Sequence, residues 1–296
     1  MTGVRDLGRV LVTGAAGFLG EALVTRLRST GHPVVASDLG LQEAPCDLTD
    51  FAQVEPLIGC GGFQTIFHCG AVSGPMVLAD RPLAIWQINA LGTAHVLEAA
   101  RLHGVGRVVV CSTADVYGDL TGVVDESTLP RPVTVYGASK LAAEAAMLGY
   151  IRQHHLDAVA LRLSWIYGPG RRTSTMLETI LRAAIAGHGI SVDAAPGDIT
   201  HYLYVQDAVA GLVRAGQAAT LAERIYNITA GPGLAMRDVV SALMRLSPGC
   251  TVTLTGSGSA PLPAAMDNQR AARDLGFAPT TSLDQGLRFY RDALLR

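Results

Sequence analysis

The sequence is short of lysine, aromatic residues and net charge. Its 296 residues carry 23 basic and 25 acidic side chains, a formal net charge of −2, and aromatic residues make up 5%. Nucleic-acid-binding domains tend instead to have a basic face and aromatic rings that stack on bases. The composition therefore predicts no nucleic-acid partner. All but one of the basic residues are arginine, so Lys140 is the single lysine of the chain.

Long apolar runs and the spacings of metal or disulfide sites are also missing. No stretch of about 18 uninterrupted apolar residues marks a membrane span, and the residues after Gly3 approach a strand without the pattern of a signal peptide. The five cysteines and eight histidines form no C-x-x-C or H-E-x-x-H pattern. These absences predict reduced thiols, no metal, no membrane partner and a cytoplasmic protein.

Short β-branched runs alternate with longer helical patterns in the first part of the chain. The predicted strands cover residues 10–13, 34–38, 65–68, 108–112 and 158–164. The predicted helices between them cover residues 19–28, 51–58, 84–103 and 138–155. This alternation is typical of an α/β fold of Rossmann type, a doubly wound parallel sheet with helices on both faces.

The rhythm changes after Gly168. Further helices are predicted at residues 174–187, 206–216, 236–246 and 283–295, and further strands at 190–192, 225–228 and 251–255, followed by a loop at 256–263. We predict a Rossmann domain over residues 1–168, to which some segments around 198–230 return, and a smaller C-terminal substrate lobe over residues 169–296.

The first predicted strand runs into a glycine-rich turn, Gly14-Ala15-Ala16-Gly17-Phe18-Leu19-Gly20, and a helix follows. Glycines at this junction permit the sharp turn, the close approach of a pyrophosphate and tight packing of the helix on the strand. The helix N-terminus presents free N–H groups to phosphates. We therefore predict that Gly14, Ala16, Gly17, Phe18 and Leu19 bind a dinucleotide.

Asp38 ends the second predicted strand and indicates which dinucleotide is bound. A carboxylate at this position accepts the hydroxyls of the adenine ribose and repels a 2′-phosphate. No arginine or lysine occurs between Asp38 and the strand at 65–68. These features predict NAD rather than NADP. Asp47 and Leu48 are candidates for the adenine pocket, although a helix N-cap role for Asp47 or a neighbour is nearly as well supported.

Tyr136 and Lys140 are spaced i, i+4 and therefore lie on one face of a helix. A tyrosine with a pKa of about 10 is a poor base at neutral pH. A neighbouring ammonium and a positively charged nicotinamide both favour the phenolate. Tyr136 can then take the hydroxyl proton of a substrate while hydride leaves to NAD. Lys140 can also donate to the nicotinamide ribose.

The run from Cys111 to Gly118 begins at the carboxyl end of a predicted strand, where ligands bind in open parallel sheets. A hydroxyl in this run can polarise the substrate oxygen beside the tyrosine. Ser112 and Thr113 are both candidates, and a turn at the strand end is the structural alternative.

Together these motifs resemble those of the extended short-chain dehydrogenase/reductase family, in its NAD-dependent epimerase/dehydratase group, which includes UDP-galactose 4-epimerase. The matching segments are TGAAGFLG from Thr13, DLTD from Asp47, HCGA from His68, INALGT from Ile88, CSTADVYG from Cys111, YGASK from Tyr136, LRLSWIYGPG from Leu161 and DLGFAPTTSLDQGL from Asp274. The resemblance implies that Thr113, Tyr136 and Lys140 are catalytic. It also implies cofactor contacts from Asp47, Leu48, Cys69, Gly70, Ala71 and Asn89, as well as from Tyr136 and Lys140.

The chain departs from the family pattern at positions that concern the substrate. Trp165 stands where nucleotide-sugar members usually carry an asparagine, and Thr200 where they carry an arginine that binds the diphosphate. Ala114 and Asp115 stand where dehydratases carry adjacent Asp and Glu. These differences disfavour a nucleotide diphosphate and water elimination. Hydrogen bonds to charged groups contribute about 1.5–3 kcal/mol each, so the loss of the arginine is substantial.

Three functions remain open on the sequence. The favoured one is an NAD-dependent dehydrogenase or reductase that acts on a carbinol carbon of a small sugar, sugar acid or similar hydroxy compound. The alternative is a nucleotide-sugar 4-epimerase with tightly bound NAD, in which Arg171 or Arg172 contacts the phosphates. The last is an NAD-binding protein without catalysis. The candidate substrate residues are Ser73, Thr113, Asp115, Trp165, Arg171, Arg172 and His201.

Two of these candidate assignments, and the expected oligomeric state, have structural alternatives. Trp165 is predicted to be either a wall of the substrate pocket or a core residue. Arg171 and Arg172 form either a clamp for a carboxylate or phosphate or a solvated loop pair. The alanine-rich helices at 84–103 and 138–155 permit close helix packing, and family members often dimerise through this pair, so a homodimer is expected; the structural alternative is that these alanines only pack on the parent sheet.

Overall fold

The computed structural model describes residues 3–247, 249–256 and 265–296. The predicted loop at 256–263 lies outside the described residues beyond Gly256. The strands are β1 (Val10–Thr13), β2 (Val34–Ser37), β3 (Thr65–His68), β4 (Arg107–Thr113), β5 (Val123–Val124), β6 (Ala158–Leu163), β7 (Trp165–Tyr167), β8 (Ile190–Val192), β9 (Ile199–Thr200), β10 (Tyr202–Tyr204), β11 (Ile225–Ile228), β12 (Leu234–Ala235), β13 (Val252–Leu254) and β14 (Ala265–Met266).

The helices follow the same order. They are α1 (Phe18–Ser29), α2 (Phe51–Gly59), α3 (Pro82–Trp86), α4 (Gly92–Leu102), α5 (Val135–His154), α6 (Met176–Ile185), α7 (Val205–Gln217), α8 (Met236–Leu246), α9 (Gln269–Leu275) and α10 (Leu283–Leu294). A π-helical turn, Gln87–Leu91, joins α3 to α4, and a 3₁₀ turn, Ala114–Val116, follows β4. None of the described helices combines the length and apolar content that crossing a membrane requires.

Six parallel strands form the main sheet in the order β2-β1-β3-β4-β6-β11. The chain first adds strands on one side of β1 and then on the other, so the order reverses between β1 and β3. In open parallel sheets, ligands bind outside the carboxyl ends of the strands at such a reversal. The sheet confirms the predicted α/β class and locates a crevice after Thr13 and His68.

Apolar layers cover both faces of this sheet. On one face, α1 and α7 pack through residues such as Leu23, Leu27 and Leu212. On the other face, α2, α4 and α5 pack through side chains such as Ile58 and Leu97. Because the crossovers between parallel strands are right-handed and strands are added on both sides of β1, helices cover both faces.

The later part of the chain contributes both to a separate apolar cluster and to the main sheet. A separate apolar cluster brings together α6, α8 and α10 with β7 and β10, and it includes Leu181, Leu243 and Leu287. In contrast, β11 lies in the main sheet beside β6, and α7 packs on that sheet. The division into residues 1–168 and 169–296 stays a prediction.

Two helices differ from their predicted bounds in ways that affect the site. The predicted helix at 84–103 is interrupted by the π-helical turn, which turns the buried side chain of Asn89 toward the loop after β3. Helix α5 begins at Val135 instead of residue 138, because the Thr134 hydroxyl accepts a hydrogen bond from Gly137 N at 2.9 Å. Tyr136 therefore lies in the first turn of α5.

Candidate functional site

The glycine-rich turn lies in the crevice between β1 and β3. Gly14 has a φ of +68°, and a Cβ on it would lie 2.4 Å from the backbone nitrogen of Gly70. A Cβ on Gly20 would lie 2.1 Å from the carbonyl oxygen of Gly14. Only glycine fits these two positions. Gly17 caps α1 without a side-chain hydrogen bond, so the helix presents its first N–H groups to the crevice.

The carboxylate of Asp38 lies beside this turn. Its Oδ2 atom accepts a hydrogen bond from Ala16 N at 3.2 Å, and its Oδ1 atom accepts one from Gly40 N at 3.2 Å. Asp38 is partly exposed. The structure thus brings together the predicted phosphate-binding turn and the predicted ribose-binding carboxylate, which are 18 or more residues apart in the sequence.

Asp47 and Leu48 have different surroundings. Asp47 Oδ1 accepts hydrogen bonds from the backbone nitrogen and the hydroxyl of Thr49, at 2.9 and 2.7 Å. The N-cap of α2 is its neighbour Asp50, whose side chain accepts from Ala52 N. Leu48 approaches the crevice closely, because a Cβ on Gly70 would lie 2.4 Å from Leu48 Cδ1.

Asn89 connects the loop after β3 to the helix that carries Tyr136 and Lys140. Its side chain is fully buried, with Oδ1 accepting from Val72 N at 2.8 Å and Nδ2 donating to Ser139 Oγ at 2.9 Å. The Ser139 hydroxyl donates in turn to the Tyr136 carbonyl at 2.7 Å. Asn89 therefore fixes the position of α5 relative to Cys69, Gly70 and Ala71. No pattern in the sequence singles out Ser139.

Lys140 is buried at the carboxyl end of β4. Its Nζ atom donates to the Cys111 carbonyl at 2.8 Å, and 4% of the residue is exposed. Burial lowers the pKa of Lys140, whereas the neighbouring Cys111, Cys69 and Glu144 side chains raise it. The thiols of Cys69 and Cys111 are 3.5 Å apart.

Thr113, rather than Ser112, is next to Tyr136. Successive side chains of a strand point to opposite faces. Ser112 accordingly donates to Glu144 on the side of α5. Thr113 is a hydrogen-bonding neighbour that lowers the pKa of the Tyr136 phenol, and its hydroxyl accepts a hydrogen bond from Asp115 N at 3.2 Å. The structure thus separates two candidates that the sequence motif leaves open.

The electrostatics of Tyr136 differ from the sequence-based expectation. Burial is the largest influence and raises the pKa of the Tyr136 phenol above its ordinary value, and the Asp115 carboxylate raises it further. The hydrogen bond with Thr113 and the positive charge of Arg171 lower this pKa. The expected cation, Lys140, is hydrogen-bonded to a backbone carbonyl instead. Desolvation of the phenolate outweighs the nearby positive charge.

Asp115 and Trp165 contact each other at this site. Burial raises the pKa of the Asp115 carboxyl, and the neighbouring indole N–H of Trp165 lowers it by a smaller amount. Trp165 is 45% exposed, and its ring meets that of Tyr202 edge-on at 6.3 Å. This exposure is the property expected of a pocket wall rather than of a core residue.

The other candidate substrate residues are dispersed. His201 is buried and lines a cavity of about 190 Å³ with Tyr202 and Thr229. Ser73 is exposed on the loop after β3. Arg171 is partly buried, whereas the side chain of Arg172 is 70% exposed and 3.9 Å from Glu21. Across the described part of the chain, no cluster of three or more His, Cys, Asp or Glu residues could hold a metal ion.

Comparisons with known proteins give the same family as the motifs. A model of the NAD dependent epimerase/dehydratase family matches residues 10–229, from the start of β1 to the residue after β11. The chain is 29% identical to the UDP-glucose 4-epimerase of Mycolicibacterium smegmatis over 94% of this chain and 96% of that protein. It is 30% identical to the 2-alkyl-3-oxoalkanoate reductase of Stenotrophomonas maltophilia over 95% of this chain and 97% of that protein.

A solved structure is similar over almost the full length. MoeE5 in complex with UDP-glucuronic acid and NAD is 31% identical to this chain, with a TM-score of 0.85 over 98% of this chain and 99% of that one. The relatives therefore include an epimerase and a reductase on one scaffold.

Proposed function

Because the chain belongs to the NAD-dependent epimerase/dehydratase family, whose cofactor is NAD, we propose that it transfers hydride reversibly at a carbinol carbon of a sugar, sugar acid or similar small hydroxy compound. The observation that carries this proposal is the contact between Thr113 and Tyr136, with Lys140 one helical turn further along α5. These three side chains lie at the carboxyl edge of the sheet, where the cofactor turn also lies.

The residues of the crevice fit NAD. The backbone of the glycine-rich turn and the N-terminus of α1 would hold the pyrophosphate, since Gly14, Gly17 and Gly20 have no side chains and the first N–H groups of α1 have no side-chain cap. Asp38 would accept the hydroxyls of the adenine ribose, and Leu48 would line the adenine pocket. Lys140, with one of its three N–H donors on Cys111 O, has others for the nicotinamide ribose.

The proposed chemistry divides between the cofactor and three side chains. When bound, NAD accepts or returns the hydride. The Tyr136 phenol would take the proton of the substrate hydroxyl and give it back in the reverse direction. The Thr113 hydroxyl would hold the substrate oxygen beside Tyr136, because Thr113 is close enough to lower the pKa of the phenol. Lys140 would supply positive charge close to the reacting groups.

The departures from the family pattern support a small substrate over a nucleotide sugar. Thr200, at the arginine position, is buried in β9 and brings no charge. Trp165 is exposed and acts on Asp115, whose charge acts in turn on Tyr136, so the indole would take up space on the substrate side of the site. One relative is named a 2-alkyl-3-oxoalkanoate reductase, and this name includes no nucleotide. That relative supports a substrate without a nucleotide on this scaffold.

A nucleotide-sugar 4-epimerase is the second candidate, favoured by the similarity to MoeE5 with its bound UDP-glucuronic acid. The two functions differ in how they use NAD. An epimerase returns the hydride to the same substrate and retains its cofactor, whereas a dehydrogenase exchanges its cofactor at each turnover.

A screen for NADH formation with free sugars, uronic acids and nucleotide sugars tests the proposed function. We expect NADH with a sugar or sugar acid, at a higher kcat/KM with NAD than with NADP, because Asp38 disfavours a 2′-phosphate. The same preparation should lose its NAD on gel filtration. Stoichiometric NAD that survives the column, with interconversion of nucleotide sugars and no net NADH, would favour the epimerase. Tighter binding of NADP would contradict the role of Asp38.

We also propose that the protein is a cytoplasmic homodimer. Six large apolar side chains are exposed on two neighbouring helical segments, namely Leu83, Trp86, Leu91, Leu102, Val135 and Leu148. Burying such surface between two copies is favourable. All five cysteines are free thiols, as in reducing compartments. Sedimentation should give the mass of two chains. Titration of the thiols in protein isolated without reductant should give five free thiols per chain. A monomer, or missing thiols, would contradict the corresponding part of the proposal.

A further inference from the structure

Cys69 and Cys111 bring two thiols together at the carboxyl edge of the main sheet. His68, the last residue of β3, is opposite Val110 of β4, and each cysteine is the next residue along its segment. The two sulfur atoms are 3.5 Å apart, although the residues are 42 positions apart in the sequence. In the described ranges, which include all five cysteines, no other pair of thiols is in such contact. The proposed reaction does not use this pair.

The geometry of this pair fits a disulfide. A disulfide joins Cα atoms about 4.4–6.8 Å apart through an S–S bond of about 2.05 Å. Neighbouring strands are about 4.8 Å apart, so residues opposite each other satisfy the first condition. From the observed 3.5 Å, the sulfur atoms would have to approach by about 1.5 Å. A small movement at the ends of β3 and β4 therefore suffices.

The surroundings favour oxidation of this pair. Cys69 is partly exposed, whereas Cys111 is buried. Lys140 Nζ donates to the Cys111 carbonyl at 2.8 Å, which places an ammonium group beside Cys111. The hydrogen bond with Cys69 and the charge of Lys140 lower the pKa of the Cys111 thiol, against the effect of burial. Loss of one proton from the pair thus gives a thiolate, which is the form that peroxides oxidise.

Both cysteines are attached to parts of the cofactor site. A Cβ on Gly14 would lie 2.6 Å from the Cys69 carbonyl carbon, so the glycine-rich turn packs directly on the loop after β3. Cys111 contributes the carbonyl that holds Lys140. Drawing the two sulfur atoms together would move the loop relative to Gly14, or the carbonyl relative to Lys140. The turn has no spare room for such a movement, because not even a Cβ fits there.

We propose that a peroxide oxidises Cys69 and Cys111 to a disulfide, which weakens NAD binding and which thiol reductants reverse. The thiolate sulfur attacks one oxygen of hydrogen peroxide, the O–O bond breaks, and a sulfenic acid forms; the released hydroxide takes up the proton that the thiol lost. The other thiol attacks this sulfur, the S–S bond forms, and the displaced oxygen leaves with its proton as water. The two thiols lose two electrons in total, and the peroxide gains them. The inference concerns the NAD site and holds for any substrate.

Thiol titration and NAD titration on the same sample test this inference. We expect that hydrogen peroxide removes two of the five titratable thiols of the full-length, NAD-free protein. Peptide mapping should find Cys69 joined to Cys111, and dithiothreitol should restore the thiols. The Kd of NAD, measured by fluorescence titration, should be about 10-fold higher after oxidation, as for the loss of one hydrogen bond to a charged group. Unchanged thiols, a different cross-link or an unchanged Kd would overturn the inference.

Three variants separate the disulfide from other oxidation. Cys69→Ala and Cys111→Ala cannot form it, so peroxide should leave the Kd of NAD in each close to that of the same variant before treatment. Either variant is sufficient, so the test remains if the other fails to fold. Cys60→Ala removes an exposed thiol and keeps the pair, and its Kd should respond to peroxide as in the wild type. A peroxide effect of wild-type size in Cys69→Ala or Cys111→Ala would assign the loss to another residue and reject the disulfide.

Thermodynamic linkage gives a second, independent measurement. If the disulfide weakens NAD binding about 10-fold, saturating NAD must favour the dithiol by the same factor. This factor raises the midpoint potential of the disulfide by about 30 mV, toward less negative values. Redox titration in thiol–disulfide buffers with and without NAD measures the difference, and equal potentials would contradict the proposal. None of these measurements needs a substrate, so failure to oxidise any sugar would contradict the proposed function and leave this test intact.

Discussion

Replacement of Tyr136 by phenylalanine should lower kcat about 100- to 10,000-fold, the usual contribution of a general acid–base group, with little change in the Kd of NAD. The substitution removes the phenolic oxygen next to Thr113 and leaves the ring in the first turn of α5. Steady-state NADH formation measures kcat, and fluorescence titration measures NAD binding.

The structure also gives a direction for the pH dependence. Because burial and Asp115 raise the Tyr136 pKa above its ordinary value, the phenol is protonated at neutral pH unless positive charge opposes these effects. Oxidation of a hydroxyl needs the phenolate, so its kcat/KM should rise with pH, whereas reduction, which needs the phenol, should not rise. A profile that falls with pH in the oxidation direction would contradict Tyr136 as the base.

The matched control is Tyr150→Phe, which removes a phenol from the C-terminal half of the same helix, near Glu98. It should leave kcat and the pH profile as in the wild type. If Tyr136→Phe retained wild-type turnover, the proton would be moved by another group, and the proposed roles of Thr113 and Lys140 would fail with it. Loss of NAD binding would instead indicate a misfolded α5.

The main elements of the fold could be predicted because their patterns are local. A β-branched run followed by glycines and a helix predicts β1 and α1, and the i, i+4 spacing places Tyr136 and Lys140 on one helix face. The contact of Gly14 with Gly70 could not be predicted from such patterns, because it depends on the neighbouring places of β1 and β3 in the sheet.

Other features of the site depend on contacts across the fold. Asn89 reaches Val72 through a π-helical turn, which has no signature in a single sequence. Whether Arg171 points inward or outward is decided by its hydrogen bond to the Ile166 carbonyl. The direction of the Tyr136 pKa depends on the balance of burial against charge, and burial is not visible in residue spacing.

The largest stability effect should come from an ion pair directly behind the site. Glu144 and Arg162 are almost fully buried, with Nη2 and Oε2 2.8 Å apart. Glu144 also accepts a hydrogen bond from Ser112, and the Arg162 guanidinium lies 4.8 Å from the ring centroid of Tyr117. This cluster anchors α5, which carries Tyr136, to β6 through the ion pair and to β4, which carries Thr113, through Ser112.

The Glu144→Gln variant should lose about 3–5 kcal/mol of unfolding free energy, because it leaves the Arg162 charge buried without a counter-ion. Urea denaturation followed by circular dichroism measures this loss. The Glu144→Gln, Arg162→Met double variant should recover part of it, since no unpaired charge then remains. Asp284→Asn, which breaks the exposed pair with Arg245, should cost less than about 1 kcal/mol.

This comparison distinguishes a role of the buried charge from a role of shape alone. Glutamine has nearly the volume of glutamate and can still accept from Ser112, so packing and one hydrogen bond are kept in Glu144→Gln. If the single and double variants were equally destabilised, the loss would come from packing around Arg162 and not from its unpaired charge. If Glu144→Gln cost no more than Asp284→Asn, the pair would not stabilise α5 on the sheet, and α5 would have to be held in place by Asn89 and Ser139 instead.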